Sequence, residues 1–193
     1  MSRRLKGAKK AAEKVIHSTP IYIYIQAGMA NPGPPIGPQL GQRAINIAVF
    51  CKDFNDRTKH LKPGIPIPCL ISVNPDRSYN LKMSTPPISY FLRQAAGVER
   101  GAMNASKEVS GKITVKHVYE IAKIKSQDEM YDCIPLQTIC KEIIHRARTM
   151  GIQVVHRLDA NEYAQFLEER KQIVEKQLKE IEEIKQAKLL RTA

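Results

Sequence analysis

Apolar residues alternate with polar or aromatic ones from Ile21 to Gln26, the period of a half-buried strand. From Gln39 to Phe54 the period changes. Leu40, Ala44, Ile47, Ala48 and Cys51 recur at helical spacing, which predicts a helix with one buried face, ended by Asn55-Asp56-Arg57-Thr58. Ile65 to Val73 and Ser78 to Lys82 alternate again, as two strands joined by the turn Asn74-Pro75-Asp76-Arg77. Pro66 and Pro68 assign the first of these to a sheet edge, because proline donates nothing to a ladder.

The clearest break is Met83-Ser84-Thr85-Pro86-Pro87, whose prolines end the strand and begin the next helix. Ile88 to Ala96 is predicted helical and closed by Gly97. Glu99 to Gly111 has the composition of a mobile loop that orders on binding. Amphipathic helices follow at Thr114 to Lys125 and at Leu136 to Met150, the second ended by Gly151, and then a short strand at Ile152 to Val155. Leu158 to Arg191 is almost continuously helix-forming, with mixed charge and without glycine or proline. Leu167, Val174 and Ile181 repeat at seven, with Leu178 between them and Ile184 just beyond, but Gln177 and Lys188 interrupt the stripe. A solvated, salt-bridge-laced helix is favoured there over a partner-binding coil. The expected fold class is α+β, in four segments: a basic tail (1–19), an α+β domain with a short sheet and a proline-rich loop (20–84), a mostly helical domain (85–157) and a helical extension (158–193).

Charge adds a partner class. The net charge is +12 and the pI about 9.6, which favours a polyanion. The excess is +5 over residues 1–16, +4 over 17–86, +4 over 87–158 and −1 over 159–193, so the extension stands outside it. Cys51, Cys69, Cys133 and Cys140 are widely spaced, without a C-x-x-C pair, and read as reduced thiols. No apolar run reaches membrane-spanning length, and no secretory segment is evident. The first sixteen residues fit a mitochondrial targeting segment and an RNA-touching arm equally well.

The most informative stretch, Gln26 to Asn55, has little side-chain chemistry. Four prolines (Pro32, Pro34, Pro35, Pro38) and three glycines (Gly28, Gly33, Gly37) make a stiff loop suited to contact. Gly28 to Gly33 has phosphate-loop glycine spacing, but the Lys and Ser/Thr that should follow are Pro34 and Pro35. The nucleotide reading fails there. The five histidines have no metal-ligand spacing and Ser18, Ser72 and Ser89 sit in no nucleophile elbow, so a non-enzyme without metal or cofactor is expected.

AGMANPGPPIGPQLGQRAINIAVFCKDFN closely resembles the start of the ribosomal protein L11 family, found at the base of the large-subunit stalk. The resemblance continues through IPIPCLISVNPDRSYNLKMSTPP, FLRQAAGVERG, VYEIAKIKSQD and ARTMGIQV, from Ile21 to Val155. It implies that the second domain grips a compactly folded large-subunit ribosomal RNA. Cations on phosphates, and small residues that admit close approach, suit such a target. The residues implied are Thr85, Pro86 and Pro87 at the joint, Lys107, Gly111 and Lys112 around the loop, and Lys141, His145, Arg146, Ala147, Arg148, Thr149 and Gly151 on the last helix. Lys141, His145 and Arg148 share one helical face. The family usually has Gly-Thr where this chain has His145-Arg146, which puts bulk and charge at that point.

For the first domain the resemblance implies a loop facing translation factors or antibiotics, at Pro32, Gly33, Pro34, Pro35 and Pro38. Implied partners are large-subunit ribosomal RNA, neighbouring stalk proteins and, transiently, translation GTPases, with no membrane and no small-molecule substrate. Tyr90-Phe91-Leu92, Glu99-Arg100-Gly101-Ala102 and His117 to Ala122 look most like mitochondrial members, which implies the matrix ribosome. The rival reading is an adaptor ligand whose Pro34-Pro35 loop docks an SH3-like groove as polyproline II.

Overall fold

The computed structural model describes residues 19–192 except 75 and 77, so the basic tail and much of the Asn74–Arg77 turn lie outside the described residues. The chain divides between Ser84 and Thr85 into two units, each with its own core.

The first unit contains β1 (Ile21–Gln26), α1 (Ile36–Gly41), α2 (Ile47–Arg57), β2 (Pro66–Val73) and β3 (Tyr79–Met83). Its antiparallel sheet has the order β1-β2-β3. Ile21, Ile23 and Ile25 pair with Ile71, Cys69 and Ile67, and all six are buried. Tyr22 and Tyr24 fall on the opposite face, because side chains alternate along a strand.

The helix expected over Gln39 to Phe54 is two helices. Ala44 takes a left-handed conformation (φ 56°), and the Asn46 side chain caps α2 by accepting from the Val49 amide. That interruption resets the helical phase. Ala44 and Ala48 are consequently exposed, while Ile45, Phe50, Cys51 and Phe54 enter the core. A second expectation also changes, since β2 is the central strand and not an edge. The prolines are accommodated because β3 stops at Met83, opposite Cys69. The Pro68 carbonyl accepts from the Ser84 amide, so its nitrogen faces the side where that ladder has ended. Locally, Pro66 and Pro68 do stand at an edge.

The second unit contains α3 (Ile88–Ala96), β4 (Gly111–Thr114), α4 (Val115–Lys125), α5 (Leu136–Thr149), β5 (Ile152–Val155) and α6 (Ala160–Thr192). Gly97 closes α3 at φ 61°, and the Thr114 hydroxyl caps α4 by accepting from the His117 amide. Strand β4 is not evident from the sequence pattern. Its four residues pair in parallel with β5, from Gly111↔Ile152 to Thr114↔Val155. Leu92, Ile113, Val118, Ile121, Ile139, Ile143 and Ile152 fill the core.

A polar knot ties the entry of this unit to the end of α4. Lys125 Nζ lies 2.6 Å from Asp128 Oδ2, and both side chains are nearly excluded from solvent. Asp128 also accepts from the Thr85 amide at 2.9 Å and the Thr85 hydroxyl at 2.7 Å. Lys125 donates further to the Thr85 hydroxyl and to the carbonyls of Thr85 and Pro86. Burial pushes the Asp128 carboxyl up, but the Lys125 and Thr85 contacts outweigh it and hold the group below its ordinary value.

Asp128→Ala should lower the unfolding free energy by about 3–5 kcal/mol, because it strands a buried ammonium. Lys125→Met with Asp128→Leu should recover much of that loss. Urea denaturation of the three proteins checks both statements.

Candidate nucleic-acid interface

Helix α5 is split lengthwise by its sequence. Ile139, Ile143 and Ala147, spaced by four, have no exposed surface, whereas Lys141, His145, Arg146, Arg148 and Thr149 are exposed. The neighbouring acid removes little of this charge. Glu142 lies 3.9 Å from Arg146 with both side chains open to solvent, a geometry worth little. The Thr149 hydroxyl donates to the Arg146 carbonyl at 2.8 Å.

The helix ends against the loop that joins α3 to β4. Gly151 adopts φ 71°, and a Cβ there would lie 2.4 Å from Ala102 Cβ and 3.0 Å from the Glu108 carbonyl oxygen. The Ala102 amide donates to the Met150 carbonyl at 2.9 Å, and the Ser110 amide to the Gly151 carbonyl at 2.8 Å. Between them Ala105, Ser106, Val109, Arg148 and Thr149 line a cleft of about 480 Å³. A positive helix face beside an open cleft with a largely apolar lining is suited to an anionic, irregular surface whose bases can be approached.

Several expected contact residues are placed differently. Ala147 lies wholly in the core, so it supports the helix and presents no side chain to a partner. Gly111 is buried, where a Cβ would come within 2.9 Å of Ala96 Cβ and 3.4 Å of the Tyr163 hydroxyl. Lys112 sits 4.9 Å over the Phe166 ring of α6. Thr85 is half-buried in the knot described above, its hydroxyl donating to Asp128 and accepting from Lys125. Pro86 and Pro87 are half-buried, and Lys107 is exposed on the loop.

In the first unit the proline loop is held from α2. Asn55 accepts from the Ala30 amide and donates to the Ala30 carbonyl, while Thr58 accepts from the Gly28 amide. Gly37 packs so closely that a Cβ would lie 2.3 Å from the Pro32 carbonyl oxygen. Pro32, Pro34, Pro35 and Pro38 are exposed, and Gly33 is half-buried. Pro35 has φ −91° and ψ −3°, far from the extended ψ of polyproline II, so the SH3-ligand reading loses its geometry.

The extension also departs from expectation. The first half of α6 is docked on its own unit by a polar-aromatic stripe, Tyr163, Arg170 and Gln177, again spaced by seven. The Tyr163 hydroxyl donates to the Ala96 carbonyl and accepts from the Lys112 amide. Arg170 donates to Glu108 at 2.8 Å and is 5% exposed. Gln177 donates to Glu108 and accepts from Arg100, each at 2.7 Å. Arg170 leads the contacts that push the Glu108 carboxyl down to about 2. A heptad stripe ordinarily carries apolar residues, so a buried arginine in it has no sequence signal beyond the spacing of seven.

All four cysteines are free, and burial pushes the Cys69 thiol up to about 12. No group of His, Cys, Asp and Glu among the described residues could hold a metal ion, and no described helix is long and apolar enough to cross a membrane.

Residues 21–79 match the ribosomal protein L11 N-terminal domain, and residues 84–154 match the ribosomal protein L11 RNA binding domain. Similar proteins bear the name "Large ribosomal subunit protein uL11m". The one from Drosophila melanogaster is 54% identical over 189 residues, which span 98% of this chain and 96% of the relative. The one from Caenorhabditis elegans is 50% identical, spanning 97% and 98%. The one from Schizosaccharomyces pombe is 41% identical over 138 residues, 72% of this chain and 96% of its own length.

Gly151→Ala should cost at least about 1–3 kcal/mol through the left-handed backbone alone, with further loss from the Ala102 contact, as read by thermal unfolding. A second expectation concerns acid. The Glu108 carboxyl is depressed from an ordinary 4.5 to about 2, so its stabilising effect is full above pH 4.5 and is lost as pH falls toward 2. Glu108→Gln should remove this component from the acid dependence of α6 amide protection, followed by hydrogen exchange.

Proposed function

Because the chain belongs to the ribosomal protein L11 family, we propose that it grips folded large-subunit ribosomal RNA through the exposed face of α5 and the adjoining loop. It is a structural constituent of the large subunit of the mitochondrial ribosome, the form that the relatives' shared name denotes. One observation carries the proposed contact: the RNA-binding domain match at residues 84–154 contains an exposed row of Lys141, His145, Arg146 and Arg148 beside an open cleft. Arg148 and Thr149 line that cleft directly, and Lys107 adds a cation on the loop. Phosphate contacts from such cations supply affinity, and the cleft supplies the shape that a folded RNA must match.

The first unit has a different role in this reading. Its exposed prolines are offered to translation GTPases and to neighbouring stalk proteins, while Asn55 and Thr58 keep the loop in shape. A stiff contact loop loses little entropy when a transient partner docks. The family is one of ribosomal structural proteins, and RNA binding accounts for the chemistry found in the second unit.

The test is a salt titration of the full chain on the stalk-base segment of large-subunit ribosomal RNA. Arg148→Ala should weaken binding by about 1.5–3 kcal/mol, the contribution of a hydrogen bond to a charged group. Lys59→Ala, which removes an exposed cation paired with Asp56 in the first unit, should change it little. Equal affinities of wild type and Arg148→Ala would sink the proposed contact.

A further inference from the structure

The loop between α3 and β4 has little of its own to order it. No side chain from Glu99 to Val109 is fully buried, and the stretch is rich in small and polar residues. Such a segment gains too little from burial to offset the entropy of a single conformation. Backbone bonds from Ala102 and Ser110 tie its ends to the C-terminal end of α5, and between them one carboxylate gathers the contacts. Glu108 Oε1 accepts from the amides of Met103 and Asn104, which closes the loop on itself. Its other oxygen, Oε2, accepts from Arg170 at 2.8 Å and Gln177 at 2.7 Å, both on α6. Gln177 then reaches back to Arg100 at the loop's opposite end.

Apolar side chains of the two elements face each other here across an open space. Val98, Arg100, Leu167, Val174 and Leu178 line a cleft of about 370 Å³ between loop and helix. Tyr163 fixes the start of α6 on Ala96 and Lys112, whereas the contacts from α6 to Glu108 come from Arg170 and Gln177. Arg170 is buried with its second terminal nitrogen lacking a hydrogen-bond partner among the described residues. A guanidinium is retained in that position at a desolvation cost, and Glu108 is the group it meets. Residues 160–192 of α6 lie beyond both family matches, which end at residue 154.

We infer that α6 is a built-in brace for RNA recognition, with Arg170 and Gln177 as positioning residues that hold the loop of residues 99–110 in its RNA-competent shape through Glu108, without touching RNA themselves. This rests on the reading that the loop and α5 face ribosomal RNA. A loop held ready in advance binds more tightly, because apparent affinity scales with the fraction of molecules already competent. The brace also relieves the RNA of the ordering cost that a free loop would impose.

The experiment uses the full chain, the stalk-base ribosomal RNA segment and an unrelated duplex of equal length. Wild type, Arg170→Met and Lys171→Met are compared; the last removes an exposed cation one residue away. Arg170→Met should weaken specific binding about tenfold, as expected if the competent fraction falls to a tenth. Lys171→Met should change it less than twofold. The slope of log affinity against log salt should be the same for wild type and Arg170→Met, because no phosphate contact is lost. Amide exchange should rise in residues 99–110 and stay unchanged in α4 and α5.

A slope reduced by about one would overturn the brace, since it would make Arg170 a direct phosphate ligand. Unchanged affinity in Arg170→Met would overturn it too, as would faster exchange throughout the second unit. Failure of wild type to prefer the ribosomal segment over the duplex would overturn the underlying RNA reading instead. The two failures are thus separable.

Discussion

A buried ammonium and a buried carboxylate, Lys125 and Asp128, impose the constraint around which the second unit is arranged. Neither charge tolerates a low-dielectric interior alone, and the pair has unused hydrogen-bonding capacity after meeting at 2.6 Å. Thr85 and the Pro86 carbonyl take up that capacity, from 40 residues earlier in the chain. The polypeptide must therefore enter the unit beside the end of α4. From there Pro87 starts α3, α3 packs against α5, and α5 turns its cations outward because its apolar face is committed to the same core. The polar knot also meets α5 through Tyr131, whose ring lies 5.8 Å from Lys125 Nζ and whose hydroxyl donates to Glu142.

The same economy of polar groups recurs at α6. Glu108 satisfies two loop amides with one oxygen and two side chains of α6 with the other. A carboxylate can do this because it has about four lone-pair sites. An amide at that position would have one acceptor oxygen and two surplus hydrogens. The acid is thus the chemical requirement at the junction, and the arginine follows from it.

Much of this was legible in the chain. Alternation located β1 and both later strands, and the glycine at the end of α3 was placed correctly because only an achiral residue adopts its conformation freely. The errors have physical origins. Periodicity could not reveal that left-handed Ala44 splits one apparent helix, since alanine ordinarily favours helix. Strand β4 is invisible because Gly111 closes a polar, small-residue loop and Thr114 already opens the helix pattern, leaving Ile113 as its one apolar residue. The knot escaped because Thr85 and Asp128 are 43 residues apart, a proximity only tertiary structure creates. The exposed cations of α5 were readable from spacing, whereas the burial of Ala147 and Gly111 was not, because small residues suit a surface contact and a tight core equally well.

Helix α6 continues for 15 residues past Gln177, to Thr192, without glycine or proline. At 1.5 Å per residue that is about 22 Å of rigid rod beyond its last hydrogen bond to the loop. Mechanically it is a lever whose short arm ends on Glu108. A sideways force anywhere along that rod would act as a torque at the junction. The extension thus gives a distant neighbour leverage over a surface it does not touch.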